Sequence, residues 1–150
     1  MTKRFWFMVA SDTAASFRWE HILRNQSAEF WWIRRLPRNF KAAREEDMIL
    51  CYRSGSERRG LVGIAEVDEA MTDDGISVRG VRAFNEMIPY HEFKHEAAYK
   101  STEAGRLRNR GTLFAVNEEF TTWVAAYLTA RGDWESADFL SAILHEKRPK

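Results

Sequence analysis

Between residues 30 and 85 the chain offers four strand-type segments in succession, with few stretches long enough for the crossover that parallel neighbours need. They are Phe30–Arg35 (FWWIRR), Asp47–Arg53 (DMILCYR), Leu61–Val67 (LVGIAEV) and Ile76–Asn85. Pro37 ends the first, Phe40–Glu45 suits a short helical turn, Ser54–Arg59 (SGSERR) is a turn by composition, and Asp68–Gly75 is an acidic loop. The two runs around SGSERR therefore read as a hairpin. Gly63 inside the second of them marks a bulge or a close backbone approach. Upstream, Arg4–Ala10 (RFWFMVA) reads as a buried strand. It leads into a helix over about Ala14–Asn25, whose Ala15, Trp19, Ile22 and Leu23 share one face.

Downstream, Met87–Pro89 suits a short extended piece, and residues 91–111 carry no pattern that places them. Thr112–Val116 is strand-like. Asn117 then caps a helix with Glu118 and Glu119 in its first turn, Phe120, Val124, Tyr127 and Leu128 as its apolar stripe, and Gly132 at its end. Asp133 caps a last helix, to about residue 147, carrying Ala137, Leu140, Ile143 and Leu144. Strand, helix, a run of strands, then helices predicts one α+β domain over residues 1–150: a small mixed or antiparallel β-barrel flanked by helices, with its core in about 4–130.

The totals fit one core. The 150 residues are 45% hydrophobic and 30% charged, which argues against disorder. The net charge of +1 announces no global field for a polyanion, but arginine outnumbers lysine 17 to 6, and guanidinium forks suit phosphates and planar groups. Six Trp and ten Phe supply core area and also flat surfaces on which a ligand ring stacks. Cys51 is alone, so a disulfide framework or a cysteine metal site is excluded. The N-terminal apolar run is too short and aromatic for a signal peptide, and no stretch approaches the roughly 20 apolar residues of a membrane span, so an intracellular protein away from membranes is expected.

Phosphate-loop, dinucleotide and nucleophile-elbow motifs are all missing from the sequence. His91–His95 (HEFKH) fits the HExxH zinc pattern, but that chemistry needs a long helix beneath the motif and a third ligand, and Pro89 lies just upstream. Solvated histidines on a surface turn are the plainer reading. Nothing in the sequence demands catalysis or a cofactor.

Three segments, in order, resemble the EVE family of PUA-like domains. FWFMVAS (5–11) stands where the family has an aromatic first strand. EEDMILCYRSGSERRGLVGIAEV (45–67) is similar to its hairpin, with Glu46-Asp47 at the usual Gly-Asp turn. GTLFAVNEEFTTWVAAYL (111–128) is similar to its closing strand and helix. More distantly, Ser11, Trp31 or Trp32, and Gly63-Ile64-Ala65-Glu66 follow the order found in YTH readers of methylated adenine. Of the EVE Lys-Ser-Glu-Pro element only Ser11 carries over, and the loop 68–75 lacks the second cage Trp of YTH readers. The resemblance implies a PUA-like fold and a non-catalytic reader of a flipped-out modified base, modified cytosine favoured, in DNA or RNA. An effector protein such as a nuclease is the implied further partner.

Such a reader must draw a base from its stack, which costs a few kcal/mol in a duplex, and recover about 1–3 kcal/mol by stacking it on an aromatic ring. Trp31 and Trp32 are adjacent on a strand and point to opposite faces, so one can line a pocket while the other packs the core. Trp32 is the favoured wall because Arg34 shares its face. Ser11 and Asp12 leave the first strand at the implied pocket, where Asp12 either accepts from an exocyclic amine or caps the first helix. Tyr52 alternates with Met48 and Leu50, which makes its ring core and puts its hydroxyl at the rim, whereas Trp19 belongs to the core. Arg34, Arg35, Arg38, Arg53, Arg58 and Arg59 are the phosphate-contact candidates, with Arg106, Arg108 and Arg110 (GRLRNRG) as a second cluster. A PUA-like RNA-binding module without base selectivity stands as the alternative, ahead of an enzyme that processes a nucleotide or uses zinc.

Overall fold

The computed structural model describes residues 4–11, 18–32, 39–55, 58–70, 72, 75–109 and 112–146. Six strands form one mixed sheet: β1 (Phe5–Ser11), β2 (Ala28–Trp32), β3 (Met48–Ser54), β4 (Gly60–Glu69), β5 (Gly75–Pro89) and β6 (Leu113–Val116), in the order β2-β5-β4-β3-β1-β6. The neighbours β3, β4 and β5 run antiparallel, β1 lies parallel to β3, and β6 closes back antiparallel onto β1. Helix α1 (Trp19–Asn25) supplies the link that makes the parallel pair accessible. The barrel expectation is corrected in one respect. The mixed strand order is present, but among the described residues the edge strands β2 and β6 do not pair, and the sheet stays open. Helices bury both of its faces, so closure is not needed to remove apolar surface from water.

Side chains alternate along β1 and β3. Phe5, Phe7, Met48, Leu50 and Tyr52 enter one core, beneath α5 (Glu118–Ala130) and α6 (Trp134–Glu146). Trp6, Met8, Ala10, Ile49 and Cys51 enter the other, beneath α1 and the 3-10 turn Phe40–Ala42. The cap of α5 is as its sequence predicts: the Asn117 side chain accepts from the Phe120 N–H at 2.9 Å. Asp133 accepts from the Ser136 N–H at the start of α6, and Gly132 between the helices takes a left-handed φ of 83°.

Three further differences from the sequence reading have physical causes. The second strand begins at Ala28 rather than Phe30, because Ala28 and Glu29 pair with Arg79 and Val78, and residues 33–38 lie outside the described residues. Met87–Pro89 is not a separate piece. β5 runs 15 residues to Pro89 by absorbing a bulge: Leu61 faces Ile88 and Gly63 faces Ala83, so Phe84–Met87 stand opposite Val62 alone. Residues 90–106 contain three one-turn helices, α2 (Tyr90–Phe93), α3 (Ala97–Lys100) and α4 (Glu103–Arg106). One turn is too short to show periodicity or to hold itself together. Burial of Phe93, Ala98, Tyr99 and Ala104 in the α5 core holds these turns instead. No helix among the described residues is long and apolar enough to cross a membrane.

Candidate functional site

Asp47 anchors the start of the β3–β4 hairpin. Its carboxylate is buried and accepts three hydrogen bonds, from the Trp6 indole (3.0 Å) and from the backbone N–H groups of Arg4 (3.0 Å) and Arg44 (2.9 Å). Glu46 before it sits at φ 71°, a left-handed conformation that glycine adopts without strain. That is the physical content of the Gly-Asp turn to which these two residues correspond.

At the other end of the hairpin, aromatic rings gather on the α5 face. Tyr52 is buried, stacked on Phe7 with centroids 5.2 Å apart, and met edge-on by Tyr90 and Phe93. The Tyr99 hydroxyl donates to Asn109 Oδ1 at 2.6 Å. Burial pushes the Tyr52 phenol above its ordinary value, with the Asn109 side chain and the Arg59 charge partly offsetting that, and burial pushes Tyr99 up further. Both hydroxyls are therefore neutral near pH 7. Arg59 rides over the Tyr90 ring at 5.8 Å, which places one of the phosphate candidates on an aromatic support at the mouth of this cluster.

Arg53, at the end of β3, is held from three sides. Its guanidinium bonds Glu20 Oε1 on α1 (2.8 Å), the Arg58 carbonyl (3.1 Å) and the Met87 sulfur (3.2 Å), with the side chain 14% exposed. Arg53 and Arg58 share one wall of an open cleft of about 780 Å³ with Arg24 and Glu20. Leu23, Val62 and Phe84 form its apolar side, and the bulge residues Asn85, Glu86 and Met87 its far rim.

The structure thus brings Arg53 and Arg58 together and sets Arg59 near Tyr52 through Tyr90. Ser11 ends β1 in register with Ser54, and by strand alternation lies on the Tyr52 face. Trp31 is half-buried against the opposite core, beneath α1, beside Ile76 at the start of β5. Tyr52 and Trp31 therefore face opposite sides of the sheet. Asp12, Arg34, Arg35, Arg38, Arg110 and the Trp32 indole lie outside the described residues. Trp19 is core, as its place on the helix stripe predicts, and donates its indole N–H to the Tyr52 carbonyl at 3.0 Å, tying α1 to β3. His91 and His95 are both exposed. The turn of helix at His91 ends at Phe93, and among the described residues no group of three His, Cys, Asp or Glu is placed to hold a metal.

Sequence reasoning missed Asn109, Tyr90 and Arg24. The signal for Asn109 was its residue type inside an arginine-rich loop. Arg108 and Asn109 both take left-handed φ values, 53° and 59°, and asparagine tolerates that region better than most residues.

The EVE domain family model matches residues 4–127, most of the chain. The chain belongs to the EVE domain family. Its fold is shared with solved structures at low identity. A protein from Leishmania major has TM-score 0.73 and 16% identity, covering 86% of this chain and 96% of its own. A Pseudomonas putida protein has TM-score 0.71 and 19% identity over 83% and 99%. Human THYN1, solved in complex with DNA containing 5-methylcytosine, has TM-score 0.67 and 15% identity over 84% and 98%. No curated protein matches the chain by sequence. In this EVE domain the hairpin turn at Glu46-Asp47 and the cap at Asn117 are the family-like features with a direct structural role.

Proposed function

We propose that this EVE domain is a non-catalytic reader that binds a flipped-out modified base, modified cytosine favoured, in a DNA or RNA strand inside the cell. The observation that carries this reading is that an EVE-like relative of the same fold, human THYN1, was solved with DNA containing 5-methylcytosine. The chain's own chemistry supports it. Arg53, Arg58 and Arg59 cluster where the β3–β4 hairpin turns, with one guanidinium preset by three hydrogen bonds and one stacked on an aromatic ring. In this reading Ser11, Asp12 and the Trp32 indole form the base pocket, with Tyr52 behind it; Trp31, on the opposite face of the sheet, packs the α1 core instead. Arg34, Arg35, Arg38 and Arg110 join the three hairpin arginines in contacting phosphates. Recruitment of an effector protein follows binding.

Fluorescence anisotropy with strands differing only in one 5-methylcytosine tests the proposal. The methylated strand is expected to bind at least about tenfold more tightly, a difference of about 1.4 kcal/mol. Trp32→Ala should erase that preference, and added salt should weaken both strands together. Equal affinity for methylated and plain strands, or no binding at low salt, refutes it. Equal but salt-sensitive binding would instead identify an unselective RNA- or DNA-binding module.

A further inference from the structure

The Asn109 side chain is held in one orientation, beside the strand row from which the base pocket opens. Its backbone takes a left-handed φ of 59°, and its N–H donates to the Ala104 carbonyl at 2.9 Å. Its Oδ1 accepts from the Tyr99 hydroxyl at 2.6 Å. Tyr99 is itself immobilised. It is 2% exposed, and Phe93, Tyr90 and Phe7 surround its ring at centroid distances of 5.0, 6.0 and 6.3 Å. Burial keeps its phenol protonated, so the donor is present at neutral pH. A carboxamide is planar, so turning Oδ1 inward to Tyr99 sets the Nδ2 donors at the opposite corner. Asn109 is half-buried there, and among the described residues Nδ2 has no carbonyl or carboxylate partner.

The position follows from register. The Asn109 side chain also reaches the Tyr52 phenol. Tyr52 pairs with Val9, and the next row on that face is Ser54 with Ser11, about 7 Å along the strands. The chain after Asn109 returns to β1 at once, where the Val9 N–H donates to the Thr112 carbonyl at 2.7 Å.

We propose that Asn109 tells 5-methylcytosine from thymine, its Nδ2 donating to N3 of the flipped base. The two bases share the 5-methyl group and O2, so stacking alone does not separate them. They differ at position 4, an amine in one and a carbonyl in the other, and at N3, a bare acceptor in cytosine that carries a proton in thymine. A fixed donor opposite N3 makes a hydrogen bond with 5-methylcytosine. With thymine it sets two N–H groups against each other in a desolvated site, which costs more than a missing contact. The inference rests on the base-reading proposal and deepens it: it names the base edge that is read and makes Tyr99 the positioning residue behind the reader.

Asn109→Asp isolates the claim. Aspartate has the same shape, tolerates the left-handed backbone and keeps an oxygen for Tyr99, but it accepts at the corner where asparagine donates. Its added charge acts on every strand alike and cancels in a ratio of affinities. Fluorescence anisotropy on the full chain uses three single strands of about nine nucleotides, identical apart from a central 5-methylcytosine, cytosine or thymine. The parent should bind the 5-methylcytosine strand about tenfold more tightly than the thymine strand. Asn109→Asp should abolish or invert that ratio. Tyr99→Phe, which keeps the ring and removes the hydroxyl that holds the amide, should lower it roughly threefold. In the parent protein the Asn109 side-chain amide signals should shift with the 5-methylcytosine strand and not with the thymine strand. If 5-methylcytosine and cytosine bind alike while thymine is rejected through Asn109, methyl reading fails and this inference stands. If no strand binds, if the parent binds thymine as tightly as 5-methylcytosine, or if folded Asn109→Asp keeps the parent's ratio, the inference is overturned. Should Asn109→Asp not fold, the parent's side-chain amide decides: equal shifts with both strands, or none, overturn it.

Discussion

The two faces of the sheet are built by opposite means. On the α5 side the space between sheet and helices is filled by large rings. Phe7, Tyr52, Phe93, Tyr99 and Phe120 pack with centroids 5.0–6.4 Å apart, and a stack of Phe120, Trp123 and Tyr127 runs out along α5 toward Arg131. On the α1 side the space is removed instead. A Cβ placed on Gly80 would meet the Ile22 carbonyl oxygen at 2.1 Å and Leu23 Cα at 2.9 Å, and one on Gly63 would meet Leu23 Cδ1 at 2.7 Å. The helix backbone lies directly on strand backbone. One face therefore fails when atoms are taken away and the other when atoms are added. On this side the α1 residues Leu23 and Arg24 also line the cleft beside Arg53, so close backbone approach fixes the helix that forms its wall.

Substitutions on each side sharpen or break that contrast. Phe120→Ala should cost the most, about 3–5 kcal/mol, because it opens a cavity among fully buried rings; urea denaturation measures it, and oligonucleotide affinity of the folded fraction should be unchanged. Gly80→Ala should cost about 1–3 kcal/mol despite adding only a methyl, since backbone must shift, and it should also lower affinity by moving α1. A neutral Gly80→Ala would mean that the helix does not sit on the strand as described. Asp47→Asn should cost about 1.5–2 kcal/mol, measured by thermal unfolding, because the amide replaces a carboxylate that accepts from Trp6, Arg4 and Arg44.

Raising the pH probes both faces through groups that burial holds protonated. The phenols of Tyr52 and Tyr99 on one side and the Cys51 thiol on the other all have folded-state pKa values raised by burial. The unfolded chain then releases these protons at lower pH than the folded one does. The stability they contribute is complete below the ordinary thiol and phenol values and is lost as pH rises beyond about 9–10. Unfolding midpoints measured across that range should fall. The smallest effect, and the only gain, is expected at a position in neither core. Glu46→Gly should raise stability by about 0.5–1 kcal/mol by relieving a left-handed φ of 71°, visible as a higher melting temperature.

Much of this fold was legible in residue order. The strands β3 and β4 lie within a residue or two of their predicted bounds, because each carries a full alternating or apolar run, and Asn117 with two glutamates behind it marks the start of α5 without help from the rest of the chain. Gly63 was marked as a close approach, and Leu23 and Arg82 are what approaches it. The candidate site was less legible. Arg53 looked like any other arginine of the hairpin, and only its partners Glu20, Arg58 and Met87, up to 34 positions away, distinguish it. Residues 90–109 gave no pattern because their one-turn helices are specified by the core against which Phe93 and Tyr99 pack.

By itself the sequence determined element types, the sheet-and-helix class, the buried Tyr52 and Trp19, and family membership through three ordered segments. These depend on local periodicity, caps and turn residues, which act over a few positions of chain. Only the tertiary structure decided that the sheet is open, that Tyr52 and Trp31 face opposite sides of it, and that Arg24, Arg53 and the β5 bulge meet at one cleft. Those facts depend on register and bulges, and a shift of one residue between strands sends every side chain to the other face without changing a letter of the local pattern.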